Sequence, residues 1–122
     1  MFSRKLIYAS GLFSVALTAD RLKEDKIEIL EKMFSITPIE RIKYVCGESS
    51  SKRLFEMYEF FLVELSQANV REHLERLPRS EKATDPTFRR LKNEGHYFSR
   101  ELMNLFHRTF HASHPIHMAV IF

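Results

Sequence analysis

A chain of 122 residues suits one domain and leaves no room for two domains of ordinary size. Hydrophobic residues make up 44% of it and 11 residues are Phe, which is enough apolar mass for a folded core and argues against wholesale disorder. The 19 Lys and Arg exceed the 16 Asp and Glu by three, an excess too small and too dispersed to indicate a dedicated nucleic-acid binder.

Helix signals dominate the chain, because only 3 Gly and 4 Pro interrupt it. Gly47 and Pro115 fall where helices should end, and Pro38 and Pro86 where helices should begin. Apolar residues recur every third or fourth position between these breaks. The pattern predicts an all-α fold, a single domain over residues 1–122, built as an irregular bundle of about five helices with an extended C-terminal tail. The predicted helices cover residues 3–18, 20–35, 38–46, 52–77 and 86–112.

Two helix starts carry strong local signals. Thr37 can cap a helix in which Pro38 takes the first position and the Glu40 side chain returns to the amide of Thr37. Asp85 followed by Pro86 repeats the cap-then-proline arrangement at the last helix.

The N-terminal segment contains no acid from Met1 to Ala19, and Arg4 and Lys5 precede an uncharged run. We expect residues 1–19 to form an ordinary buried first helix. The same features also fit a targeting or anchoring segment, with membrane contact through residues 1–19, and this second interpretation stays open.

Cys46 is the only cysteine, so the fold must rest on packing rather than on an intrachain disulfide. It lies in an apolar run, which favours a buried, unreactive thiol. A free thiol fits a reducing intracellular compartment, mitochondrial or cytoplasmic.

Three histidines near the C-terminus, His107, His111 and His114, could share one helical face at positions i, i+4 and i+7. Neutral imidazoles at this spacing can bind a transition metal. The alternative is a helix end at which His favours the macrodipole. Because no Asp or Glu follows Glu101 to complete a ligand set, we predict no metal and no cofactor.

The stretch Arg90-Leu91-Lys92-Asn93-Glu94-Gly95-His96-Tyr97 resembles the arginine-to-histidine motif of the HEPN family of helical ribonucleases and toxins. The resemblance implies a helical bundle of about this length. It also implies that Arg90 and His96 bind phosphate and act on the 2′-hydroxyl, with Asn93 beside them.

Other enzyme motifs are absent from the sequence, including a Gly-rich phosphate loop, Cys-x-x-Cys and Gly-x-Ser-x-Gly. Apolar residues are more plentiful than one small bundle needs, which favours a non-catalytic protein–protein interaction module. We expect a small accessory subunit of a larger, mitochondrial assembly or a homo-oligomer; the alternative is a HEPN-like ribonuclease. Nucleic acid is a weaker alternative partner. The expected interface residues are Leu12, Phe13, Phe60, Val63, Val120, Ile121 and Phe122.

Overall fold

The computed structural model describes residues 2–120, which form six α-helices and two 3-10 turns and contain no strand. The all-α bundle expected from the sequence is therefore confirmed. The helices are α1 (Phe2–Ala16), α2 (Lys23–Phe34), α3 (Pro38–Cys46), α4 (Glu48–Ser66), α5 (Ala68–Arg76) and α6 (Pro86–Thr109). The 3-10 turns are Arg79–Glu81 and Pro115–Met118.

The hydrophobic core lies where α1, α3, α4 and α6 meet. Two pairs of stacked rings connect α1 to its neighbours. Phe2 of α1 lies 3.7 Å from Phe61 of α4, and Phe13 of α1 lies 3.8 Å from Phe106 of α6, measured between ring centroids. Aromatic side chains bury large apolar areas, so these contacts contribute much of the packing energy. The buried members of the cluster are Phe2, Leu6, Ala9, Phe13, Ala16, Ile42, Leu54, Phe61, Val70, Leu91, Phe98, Leu102, Leu105, Phe106 and Ile116.

The start of α3 follows the predicted capping box. The Glu40 amide donates to Thr37 Oγ1 at 3.2 Å, and the Thr37 amide donates to Glu40 Oε2 at 3.0 Å. Pro38 occupies the first turn, where its missing N–H costs nothing. These local bonds fix the residue at which α3 begins.

A single glycine joins α3 to α4. Gly47 has φ of 88°, a left-handed conformation that favours glycine, and α4 begins at the next residue. The predicted start at Lys52 is wrong, because the serine-rich segment forms the first turn instead of a loop. Ser51 Oγ donates to the Gly47 carbonyl at 2.7 Å, which satisfies its hydroxyl inside the helix.

The predicted helix over residues 52–77 is also wrong, since Gln67 adopts an extended conformation and separates α4 from α5. The apolar pattern explains the break. In one continuous helix Val70 and Leu74 would point away from Leu54 and Leu65, because the helix turns by about 100° per residue. The break returns Val70 to the core and packs Leu74 against it.

Helix α6 begins as expected, with the Phe88 amide donating to Asp85 Oδ2 at 2.8 Å and Pro86 in the first turn. It ends at Thr109, three residues before the predicted end, because Phe110 is extended. The following segment is not wholly extended, since Pro115–Met118 forms a 3-10 turn that buries Ile116.

Helix α2 lies at the edge of the bundle. It begins at Lys23, three residues after the predicted start at residue 20. Met33 is its only buried residue and lies outside the main core cluster. Arg41 of α3 holds its end by donating to the Met33 carbonyl at 2.7 Å.

Helix α1 begins at Phe2, so Ser3 lies inside the helix and does not cap it. Phe2, Leu6 and Phe13 place its inner face in the core. Across residues 2–120, no helix is both long enough and apolar enough to cross a membrane.

Candidate functional site

The outward face of α1 is apolar and uncovered. Ile7 is 57% exposed and Val15 is 51% exposed. Gly11 lies between them, and a Cβ atom placed there would meet no heavy atom within 4 Å. Ile7, Gly11 and Val15 follow each other at four-residue spacing, so they form one stripe, which we call the α1 stripe.

The α1 stripe exists because α1 is apolar on more sides than the bundle covers. The opposite side of α1 is packed against the core. Ser10 and Ser14 border that side and are buried, and their hydroxyls donate to carbonyls of α1. The C-terminal segment covers one margin, where the Tyr8 hydroxyl donates to the Ala119 carbonyl at 3.2 Å. The α1 stripe remains open to solvent.

Arg4 precedes the α1 stripe at its N-terminal end. It is exposed and has no hydrogen bond or ion pair to another residue between positions 2 and 120. The stripe is therefore apolar along its length, with one basic residue before it.

The residues expected at an interface divide into three groups. Phe60 and Val63 of α4 are each 54% exposed, and Phe60 lines a cavity of about 330 Å³ with Phe2, Met57 and Tyr97. Leu12 and Val120 are half-buried against the core. Ile121 and Phe122 lie outside the described residues.

Phe13 departs from the expected interface. It is fully buried and stacked on Phe106, so it lies in the core and not on the surface. The helical spacing indicates this position, because Phe13 lies on the same face of α1 as Leu6, Ala9 and Ala16, all of which are buried.

The structure separates Arg90 from His96. Arg90 is ion-paired with Glu64 of α4. His96 lies six residues further along α6, which leaves an angle of about 120° between the two side chains around the helix axis. Asn93 lines one cavity with Arg90 and another with His96. The three residues do not converge on one point.

Arg89, not Arg90, shares a cavity with His96. Seven residues along a helix bring two side chains back to nearly the same direction. The cavity has a volume of about 300 Å³, and we call it the basic pocket. Its lining contains no acid and consists of Lys82, Ala83, Phe88, Arg89, Lys92, Asn93 and His96.

Glu94 lies beside Arg90 on the α4 side of α6. Burial raises the pKa of its carboxyl group, as does the nearby Glu64 carboxylate, while Arg90 acts in the opposite direction. Its Oε2 atom is inaccessible to solvent and has no hydrogen-bond partner among the described residues. Arg90 and Glu64 therefore belong to a packed polar contact between two helices.

The three candidate metal ligands are not brought together. His111 and His114 lie beyond the end of α6, so the helical face that would have joined them to His107 does not exist. His107 stacks on His117 with ring centroids 4.8 Å apart, and His114 Nδ1 accepts from the Ile116 amide at 3.0 Å. Residues 2–120 contain no group of three His, Cys, Asp or Glu able to hold a metal ion.

Cys46 lies half-buried at the end of α3. Burial raises the pKa of its thiol to about 11, although a hydrogen bond with Thr109 and the charge of Arg108 act in the opposite direction. The thiol is therefore protonated at neutral pH and is a poor nucleophile.

No protein-family model, no curated protein and no solved structure matches this chain.

Proposed function

We propose that the protein is a non-catalytic helical interaction module that self-associates through the α1 stripe. The observation that carries the proposal is the row Ile7, Gly11 and Val15, which is exposed, apolar and uncovered. Exposed apolar side chains arranged in one continuous row are typical of surfaces that another protein covers. The partner that we propose is a second copy of the same chain.

An antiparallel arrangement of two α1 helices fits the stripe. If the two copies cross at Gly11, Ile7 of one copy meets Val15 of the other, because both residues lie four positions from the glycine. The missing side chain at Gly11 lets the backbones approach closely. The contact is then self-complementary, as a two-fold symmetric dimer requires.

Val15→Lys tests the dimer, because it places two ammonium groups in the apolar interface. Sedimentation equilibrium over a wide range of protein concentrations compares the variant with the wild-type protein. Ile27→Lys is its matched control, since Ile27 is a similarly exposed aliphatic residue on α2. A wild-type protein that sediments as a monomer of 14.5 kDa at every concentration would contradict the proposal. Equal effects of the two lysine variants would contradict the assigned surface.

The other expected functions have a weaker basis. Membership of a larger, mitochondrial assembly stays a prediction, and it would use the same uncovered residues. The ribonuclease alternative requires Arg90 and His96 to act on one phosphate, whereas Arg90 is engaged by Glu64. We therefore prefer the interaction module.

A further inference from the structure

We propose that the basic pocket of α6 binds a backbone phosphate of a single-stranded nucleic acid. Arg89, Lys92 and Lys82 contribute three cations around one cavity of about 300 Å³, and Asn93 and His96 add hydrogen-bonding groups. This site is separate from the α1 stripe, and it does not depend on self-association.

The chemistry of the lining suits a phosphate. Arginine and lysine donate charge-assisted hydrogen bonds to phosphate oxygens. Arg89, Lys92 and His96 are exposed and form no hydrogen bond or ion pair with other residues of the described range. Lys82 lies over the Phe88 ring with its ammonium 5.6 Å from the centroid, which holds it at the edge of the pocket. The cations are therefore free to bind an anion without first breaking an ion pair.

The basic surface continues along α6 beyond the pocket. Arg100 and His107 follow Arg89, Lys92 and His96 on the same side of the helix, and all five are exposed. The row spans about 27 Å, since α-helices rise about 1.5 Å per residue. A single phosphate would occupy only the pocket, whereas a strand would contact the whole row. We call these five residues the α6 basic row.

An exposed aromatic residue beside the row favours a nucleic acid over other polyanions. Tyr97 is 58% exposed, and the Arg100 guanidinium lies over its ring at 5.8 Å. Phe60 of α4 lines the same neighbouring cavity as Tyr97. Exposed rings next to a row of cations provide stacking surfaces for unpaired bases.

A lipid surface fits this face less well. Peripheral binding to anionic membranes combines basic residues with apolar side chains that insert between the lipids. The α6 basic row has polar or aromatic neighbours on its exposed side, including Asn93 and Asn104, and Met103 is half-buried. We therefore assign the row to a nucleic-acid strand.

Fluorescence anisotropy with a labelled oligouridylate tests the assignment in the full-length protein. The double Arg89→Glu and Lys92→Glu variant should bind about tenfold more weakly or worse, whatever the base sequence of the probe. The single Lys92→Ala variant should reduce the dependence of log K on log salt by about 0.7, the value expected for one lost phosphate contact on a single strand.

Lys23→Ala is the matched control for Lys92→Ala, because Lys23 is an exposed lysine on α2 without a partner among residues 2–120. It should leave the affinity and the salt dependence unchanged. Circular dichroism checks that both variants keep the wild-type helix content, and sedimentation checks that they keep its oligomeric state.

Two further probes separate the sources of phosphate. Uridine monophosphate and inorganic phosphate should compete only weakly with the strand, and vesicles containing an anionic lipid should not bind. Absence of oligouridylate binding, equal competition by the mononucleotide, or stronger binding to vesicles than to the strand would each overturn the proposal.

Discussion

His73 of α5 and Asp85 at the start of α6 are 2.8 Å apart, measured from Nε2 to Oδ1. The same carboxylate accepts the Phe88 amide through its other oxygen. One side chain thus caps α6 and ties α5 to it, across the loop that separates the two helices.

Replacement of Asp85 by alanine should destabilise the protein in a pH-dependent way. The hydrogen bond from the Phe88 amide is the main cause of the lowered pKa of Asp85, and His73 contributes further. A lowered pKa means that the carboxylate stabilises the fold above its ordinary pKa of 3.8 and loses this effect as the pH falls below it. Thermal unfolding measures the melting temperatures of the wild-type protein and the variant from neutral to acid pH. The difference between the two melting temperatures should shrink as the pH falls. A constant difference would contradict this account.

The same substitution should affect the stability of the protein very differently at Phe13 and at Phe60, the two phenylalanines of the described residues that were expected at an interface. Phe13→Ala should lower the free energy of unfolding by about 3–5 kcal/mol, because it leaves a cavity in the core. Phe60→Ala should change it by about 0.5 kcal/mol or less, since Phe60 is largely exposed. Urea denaturation measures both variants. Comparable losses would show that burial does not distinguish them.

Glycine positions provide a second matched pair. Gly11→Ala should stabilise the folded chain by about 0.5–1 kcal/mol, because alanine favours a helix and its methyl group meets open space. It should also weaken self-association by separating the two helices. Gly47→Ala should cost about 1–2 kcal/mol because of its positive φ. Thermal unfolding at low protein concentration separates folding from association; a destabilised Gly11→Ala monomer would be inconsistent with the open space.

Removal of residues 1–19 distinguishes a core helix from a targeting segment. The deletion takes Phe2, Leu6 and Phe13 out of the core, so we expect the remainder to lose cooperative unfolding and much of its helix content. Circular dichroism and differential scanning calorimetry provide the measurements. A folded, soluble remainder would instead favour the targeting interpretation of this segment.

Local signals in the sequence predicted the starts of α3 and α6 correctly, but not those of α1, α2 and α4. Thr37, Glu40 and Asp85 all make the capping bonds that their spacing indicates. Such bonds join residues that are three positions apart, so no knowledge of the rest of the fold is needed.

The break between α4 and α5 could also have been found in the sequence. Val70 and Leu74 are out of phase with Leu54 and Leu65, and a continuous helix would have exposed one pair or the other. Neither Gly nor Pro marks the position, and the extended residue is Gln67.

The residues near Arg89 and Arg90 in the sequence do not show which of the two arginines is ion-paired and which is open to a ligand. Arg90 pairs with Glu64, which lies 26 positions earlier in the chain, so its environment depends on how α4 packs against α6. Arg89, Lys92 and His96 lie three and four residues apart, a spacing that predicts one acid-free row on the same side of a helix. The small overall excess of basic residues does not indicate this row, because a net charge does not describe how the charges are distributed over the surface.

The marginal packing of α2 implies a hierarchy of stability within the bundle. A helix that buries only Met33 can detach at a smaller free-energy cost than unfolding of the whole chain. Its amide protons would then exchange with solvent sooner than those of α6. Detachment would also break the bond from Arg41 to the Met33 carbonyl and release that guanidinium.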